Sequence, residues 1–243
     1  MSFVPEGGSN RPGPTPTESV APGVGPLIVG LGASLAAFTA TFRGPRSRFW
    51  QRMTFTGLGL GSFALLTSRP ARAARIRPRD VPLGLASAGV LYVTFKVGDR
   101  FARSAIPSGD REIREIYALR TLRPRGEIAT RLALILGPAE ELFWRGLVQS
   151  ALMRRFGRWR GAALAAGAYG GVHVVTGNFT LFGAAGVAGA HWCALYAAGV
   201  PLGALVVSHI TWDVWIFLVQ PTGQTEAPED LERLKGMMES GER

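Results

Sequence analysis

Cysteine and lysine are both scarce in this chain of 243 residues. Cys193 is the single cysteine, which excludes an intrachain disulfide and a cluster of thiolate metal ligands. Lys96 and Lys235 are the only lysines, so arginine carries the net charge of +10. The sequence also has no internal repeat and no basic patch that alternates with stacking aromatic residues. Nucleic acid is therefore not an expected partner, although the chain is basic.

Apolar residues make up 47% of the chain and are gathered in repeated runs that are long enough to cross a bilayer. Arginine clusters fall between these runs, where lipid headgroups and membrane topology place basic residues. We predict an all-α fold, a multi-pass transmembrane helix bundle of about seven spans (range 6–8) in contact with membrane lipids. The predicted spans are residues 27–42, 55–67, 81–97, 128–153, 162–176, 181–198 and 200–219.

Composition divides the chain into four parts. Residues 1–26 are rich in Pro, Gly, Ser and Thr and predict a disordered N-terminal tail without a cleaved signal peptide. Residues 27–127 hold the first three spans and a charged segment, residues 99–127, which is either an interfacial helix or a solvated one. Residues 128–219 hold the remaining spans, and residues 220–243 form a charged C-terminal tail.

Charge does not assign the membrane topology. Residues 43–52 and 69–79 are both strongly basic, yet they flank one predicted span. Either an early run is not a full crossing, or the positive-inside rule is broken here.

Glycines in several spans have the spacing that favours close helix packing in membranes. In residues 57–61 the alternating glycines indicate helix packing rather than a nucleotide-binding loop, because no strand–turn–helix context surrounds them. Two further small-x-x-x-small pairs are predicted to bring helices together, Gly167 with Gly171 and Gly199 with Gly203.

The run from Gly137 to Gly146 places charged residues inside an otherwise apolar span. An ionised side chain at mid-membrane costs roughly 2.5–3.5 kcal/mol on insertion scales, so each one needs a partner or a function. Glu141 and Arg145 are four residues apart and are predicted to pair. Glu140 points about 100° away from Glu141 around the helix and is therefore available for another role.

Two further spans also carry polar pairs. Tyr169 and His173 are four residues apart, as are His209 and Asp213, so each pair shares a helix face. Because such groups cannot face lipid, we expect them to converge with Glu140 on one interior cavity. Two imidazoles and two carboxylates can activate a water, or can bind Zn²⁺ with one position open. The ligands of such a zinc site would come from His173, His209, Asp213 and Glu140.

Three ordered motifs, taken together, resemble those of the CPBP intramembrane proteases. They are Glu140-Glu141-x-x-x-Arg145, Tyr169-x-x-x-His173 and His209-x-x-x-Asp213, each on its own apolar run. This family includes the type II CAAX prenyl endopeptidases and the bacterial Abi, or bacteriocin-processing, homologues. The resemblance covers about residues 128–219, the catalytic core of such proteins, and implies a membrane endopeptidase.

The resemblance also implies a role for each motif residue. Glu140 would be the general base that deprotonates a water, and His173 would orient that water. His209 and Asp213 would stabilise the oxyanion or help to hold the water. His191 lies outside the motifs and is interpreted as a packing or hydrogen-bonding residue. Supporting residues would be Glu141, Arg145 and Tyr169.

Two positions depart from the usual family pattern. Tyr169 stands where phenylalanine is more frequent and adds a hydroxyl. Asp213 stands where asparagine is frequent, and an ionised carboxylate would repel an oxyanion that an amide can bind. Asp213 must therefore be protonated, orient His209 or ligate a metal. Both a Zn²⁺-dependent and a metal-free mechanism stay open.

Two other functions fit the sequence less well. A proton-coupled transporter would show an inverted repeat, which is absent. A catalytically silent scaffold or immunity-type protein would be expected to lose at least one of Glu140, His173 and His209. We therefore predict an intramembrane endopeptidase that acts on a peptide or membrane-protein substrate. The arginine-rich, lysine-poor composition favours a bacterial plasma membrane. The resemblance implies prenylated CAAX proteins as the eukaryotic substrate class, but bacteria generally lack prenylated proteins, so a peptide precursor, a bacteriocin or a membrane-protein fragment is the expected substrate.

Overall fold

The computed structural model describes residues 24–221. The predicted tails, residues 1–26 and 220–243, therefore lie almost wholly outside the described residues. The first helix begins at Val24 rather than at Leu27, so the predicted tail ends in helix.

Nine helices and no strand make up the described part of the chain. Seven of the helices have 15 residues or more. The connections between them are short, and the first helix packs against the second. The helices are α1 (Val24–Phe42), α2 (Phe49–Thr67), α3 (Arg69–Ala73), α4 (Asp80–Ala105), α5 (Gly109–Ala118), α6 (residues 125–156), α7 (Arg158–Val172), α8 (Phe179–Ala198) and α9 (Leu202–Val219).

The predicted fold class, an all-α membrane helix bundle, is confirmed. Four helices, α1, α4, α8 and α9, are long and apolar enough to cross a membrane by length and composition. Large apolar side chains such as Ile28, Val93 and Phe101 are more than half exposed on the outer surface of the bundle. An apolar outer surface of this kind is solvated by lipid tails rather than by water.

Helix α2 explains why charge patterning was ambiguous. It is helical from Phe49 to Thr67, so the basic residues 43–52 and 69–79 lie at its opposite ends. The first basic stretch includes the 3₁₀ turn Arg46–Arg48, and the second contains α3. Arginines therefore occupy both ends of the bundle, and the positive-inside rule does not orient this part of the chain.

Glycines let α2 approach the middle of α6 closely. A Cβ on Gly61 would lie 2.9 Å from the Cβ of Ala139, and one on Gly57 would lie 2.9 Å from Leu136. Gly59, on the outer face, has nothing within 4 Å. The prediction of close packing at residues 57–61 is therefore confirmed, and it brings α2 against the turn that carries Glu140.

The predicted contacts of the other glycine pairs were wrong at three of four positions. Gly167, Gly171 and Gly199 have open space where a Cβ would stand, whereas Gly203 packs against the carbonyl of Arg75. The close contact between α7 and α8 is made instead by Gly170, the residue before Gly171. A Cβ on Gly170 would lie 3.0 Å from the Cα of Gly186. A rotation of α7 about its axis decides which glycine faces its neighbour.

Helix α5 is packed onto the end of the bundle. Ile113 and Glu112 are buried, and the ring of Tyr117 stacks on Phe217 with ring centroids 5.9 Å apart. The carboxylate of Glu112 accepts hydrogen bonds from the backbone N–H and the hydroxyl of Thr180, both at 2.8 Å. Glu112 thereby holds the first turn of α8 and ties α5 to the connection that follows His173.

Candidate active site

Helix α6 carries Glu140 and is irregular on both sides of it. A π-helical stretch, Leu132–Leu136, precedes the α-helical turn Gly137–Glu141, and a second one, Leu142–Gln149, follows. Pro138 has no N–H to donate to the preceding turn, which removes one helical hydrogen bond there. The chain continues as helix through Pro138, and such π turns occur frequently at functional sites.

Glu141 forms the buried centre of the polar cluster. Its Oε1 accepts a hydrogen bond from Arg145 Nη1 at 3.0 Å and another from His209 Nδ1 at 2.7 Å. Glu141 and Arg145 have no exposed side-chain surface. The ion pair expected from the spacing is therefore present, and the structure adds His209 as a second partner of the same oxygen.

Arg145 lies between two aromatic rings. Its guanidinium carbon is 4.9 Å from the ring centroid of Tyr169 and 5.2 Å from that of Trp192. A cation over an aromatic face is stabilised electrostatically, by about 2 kcal/mol or more when desolvated. The two rings thus compensate part of the cost of burying Arg145, whose Nε and Nη2 have no hydrogen-bond partner among the described residues.

Glu140 is the accessible carboxylate of the pair. Its side chain retains 14% of its surface, and its Oε2 accepts a hydrogen bond from the hydroxyl of Tyr169 at 3.1 Å. The same oxygen lies 3.9 Å from His209 Nε2. Glu140 also lines a cavity of about 10 Å³, close to the smallest volume that holds one water molecule.

His209 is surrounded by three carboxylates. Its Nδ1 donates to Glu141, and this contact leaves Nε2 directed at Asp213 Oδ2, 3.6 Å away, and at Glu140. The ring stacks on the indole of Trp192 with centroids 4.1 Å apart and an interplanar angle of 17°. The position of this imidazole is therefore set by a hydrogen bond at one nitrogen and by an aromatic face.

His173 ends helix α7 and faces the same region. Its Nδ1 is 2.8 Å from the carbonyl oxygen of Tyr169, so Nδ1 carries the proton and Nε2 is the acceptor in the neutral ring. Phe38 of α1 meets the ring edge-on, with centroids 5.1 Å apart. Within residues 24–221 no hydrogen bond joins His173 to Glu140, so a molecule placed between them would have to connect the two side chains.

Trp192 is a residue that sequence reasoning missed. Its Nε1 donates to Ser208 Oγ at 3.0 Å, Ser208 pairs with Ser87 at 2.8 Å, and Ser87 pairs with His191 Nε2 at 2.9 Å. His191 is therefore a hydrogen-bonding residue, as predicted. The sequence position of Trp192 did not indicate a role at the site, because its contact with His209 depends on how α8 and α9 face each other.

The residues proposed as zinc ligands do not form a ready metal centre here. Within the described residues, no group of three His, Cys, Asp or Glu side chains has an arrangement that could hold a metal ion. His209 Nδ1 is engaged by Glu141, so Nε2 is the ring nitrogen of His209 that could still bind an ion.

The apolar helices α1, α4, α8 and α9 support an integral membrane protein, and the polar cluster lies among the helices that carry the three motifs. Comparison with protein families agrees, since residues 128–215 match the family model of type II CAAX prenyl endopeptidase Rce1-like proteins. This match runs from α6 into α9, contains all three motifs and confirms the resemblance to CPBP intramembrane proteases. No curated protein and no solved structure matched the chain.

Proposed function

We propose that the protein is an endopeptidase that hydrolyses a peptide bond at or within the membrane with a water activated by Glu140. The observation that carries this proposal is the position of Glu140 beside a cavity sized for one water. Of the two adjacent carboxylates, Glu140 has exposed side-chain surface and Glu141 has none.

Activation of the water is assigned to Glu140 and His173. A water held between Glu140 and His173 would donate one proton to Glu140, which acts as general base. The acceptor Nε2 of His173 would take a second hydrogen bond from that water and orient its lone pair towards the substrate carbonyl. The hydrogen bond from Tyr169 positions the Glu140 carboxylate for this transfer.

Stabilisation of the negative charge that develops on the substrate carbonyl oxygen is assigned to His209. With Nδ1–H bound to Glu141, a protonated Nε2 can donate to the oxyanion. An imidazolium at this place would balance part of the charge of Glu140, Glu141 and Asp213, together with the neighbouring Arg145. Asp213, 3.6 Å from Nε2, is assigned the role of orienting His209.

The substrate is proposed to be a peptide precursor or a membrane-protein segment, and the location a bacterial plasma membrane. The arginine-rich, lysine-poor composition supports the bacterial setting. Zinc assistance remains a separate proposal, with His173, His209, Asp213 and Glu140 as the residues that would bind the ion. When bound, zinc would polarise the carbonyl or activate the water.

The test compares new peptide termini in membranes that carry wild-type protein or Glu140→Gln at equal abundance. We expect termini that are present with wild type and absent with the variant, and these identify the substrate. Glu127→Gln is the matched control, because it removes a carboxylate from a half-exposed ion pair with Arg131 on the same helix. Identical termini in all three membranes would favour a scaffold or a transporter.

A further inference from the structure

A groove lies between α1 and α2 on the outer surface, near the connection that joins them. It is a shallow depression of about 660 Å³ that is widely open to its surroundings. Ala37, Ala40 and Phe55 give it apolar walls. Arg43 and Arg52 lie at its end, where the two helices meet the connection.

A pair of buried hydroxyls lies where this groove approaches the cavity at Glu140. Thr41 of α1 and Thr56 of α2 are buried, and their hydroxyl oxygens are 3.1 Å apart. Thr56 lines both the outer groove and the Glu140 cavity. One turn before Thr41, Phe38 contacts both that cavity and the ring of His173.

The two arginines of the groove keep donors available. Arg43 Nε donates to the carbonyl of Val175 at 2.7 Å, and Arg52 Nη1 donates to the carbonyl of Ala40 at 2.7 Å. No ion pair with a carboxylate occupies either guanidinium in the part of the chain that the structure describes. Each arginine has five N–H donors, so both can still bind an anionic group.

We propose that the groove between α1 and α2 is the substrate-binding site, and that the Thr41–Thr56 pair is the closed gate between it and Glu140. The occupant is an extended peptide segment with apolar side chains against Phe55 and an acidic group at Arg43 and Arg52. Separation of the two hydroxyls opens the path and presents both to the peptide backbone. This inference rests on the proposed hydrolysis at Glu140.

The gate is tested by a reversible cross-link in the full-length protein. Thr41→Cys and Thr56→Cys are introduced together into a Cys193→Ala background, since facing positions this close suit a disulfide. Oxidised protein, with the bond verified by mass spectrometry, should lose at least about tenfold of its Glu140-dependent turnover, the loss expected for about 1.4 kcal/mol. Reduction should restore it, and the two single-cysteine variants should not respond.

Equal turnover of the cross-linked and reduced forms would overturn the gate, while leaving the proposed hydrolysis intact. Absence of Glu140-dependent turnover even in the reduced form and in wild type would instead overturn the proposed hydrolysis itself. These two failures are therefore distinguishable in one experiment.

The acidic preference is tested by binding rather than by cleavage. Two fluorescent alanine–leucine peptides are compared, which are identical except that one carries an aspartate where the other carries an asparagine. Their affinity for Glu140→Gln protein is measured in nanodiscs of neutral lipid. Changing Arg43 and Arg52 to glutamine should weaken binding of the aspartate peptide about tenfold, the size expected for a charged hydrogen bond. The asparagine peptide should change by less than about twofold.

Arg43→Lys with Arg52→Lys is the matched control and should keep most of the preference for aspartate. Equal binding of both peptides before and after the glutamine changes would overturn the proposed occupant. The proposed occupant would also be overturned if neither peptide bound while anionic phospholipid bound in a manner that depends on Arg43 and Arg52. The groove would then be a lipid site.

Discussion

Glu141 and His209, which are 68 residues apart in the chain, share a hydrogen bond of 2.7 Å between Oε1 and Nδ1. The bond assigns two functions to one buried carboxylate, because the same oxygen also neutralises Arg145. Glu140 and Glu141 are adjacent in sequence, yet one lines a cavity and the other organises the histidine opposite it. Exposure and hydrogen bonding separate their roles, as in other sites where two carboxylates do different work.

Glu141→Gln should abolish most turnover. The amide keeps the shape of the carboxylate, but it loses the negative charge that both Arg145 and His209 require. We expect turnover to fall by about 10- to 150-fold, since a charged hydrogen bond contributes about 1.5–3 kcal/mol. Turnover is measured at equal protein amounts, with Glu127→Gln as control. A variant with wild-type turnover would show that His209 is positioned without Glu141.

Arg145→Ala should lower the amount of folded protein. Removal of one partner of a buried ion pair costs about 3–5 kcal/mol, because the other charge is left without compensation. The measurement is membrane abundance together with thermal stability in detergent. Arg155→Ala is the control, since Arg155 is exposed at the end of the same helix. Normal abundance and stability in Arg145→Ala would contradict the structural role of the pair.

Asp213→Asn separates an orienting role from a metal-binding one. The amide oxygen can still face His209 Nε2, so we expect turnover to stay within about tenfold of wild type, the cost of one weakened electrostatic contact at 3.6 Å. Zinc content per protein is measured in the same samples by elemental analysis. Parallel loss of turnover and of stoichiometric zinc would instead establish Asp213 as a metal ligand.

Gly61→Ala should weaken the contact between α2 and the Glu140 turn. The added methyl would stand 2.9 Å from the Cβ of Ala139, so α2 must shift away from α6. Overpacking of this kind costs about 1–3 kcal/mol, and we expect lower thermal stability and lower turnover. Gly59→Ala is the matched control, because nothing lies within 4 Å of its Cβ position. Equal behaviour of the two variants would argue against tight packing at Gly61.

Glu112 should make stability sensitive to acid. Burial opposes its ionisation, but hydrogen bonds from Thr180 and Ser108 outweigh burial and hold the pKa of Glu112 below its ordinary value of 4.5. A lowered pKa in the folded state means that the stabilisation is fully present above the ordinary value and is lost as the pH falls through the lower one. Glu112→Gln should therefore flatten this part of the profile of melting temperature against pH. If the fall in melting temperature at acid pH were the same in Glu112→Gln as in wild type, other groups would be responsible for it.

Local spacing predicted a large part of the site. Glu141 and Arg145 lie four residues apart on one helix, and their pairing follows from 3.6 residues per turn. The same periodicity predicted that residues 169 and 173 share a face, as do residues 209 and 213. The roles assigned to these residues remain predictions for the variants above.

The sequence by itself determined the helical character of the chain and the buried Glu141–Arg145 pair, since both depend on residues that are close along the chain. Only the tertiary structure decided that Glu141 binds His209, that Trp192 stacks on that histidine, and that Gly170 rather than Gly171 meets α8. The physical reason is that backbone geometry sets the spacing within one helix. The rotation of each helix about its own axis, and the neighbour it meets, depend on packing of the whole bundle.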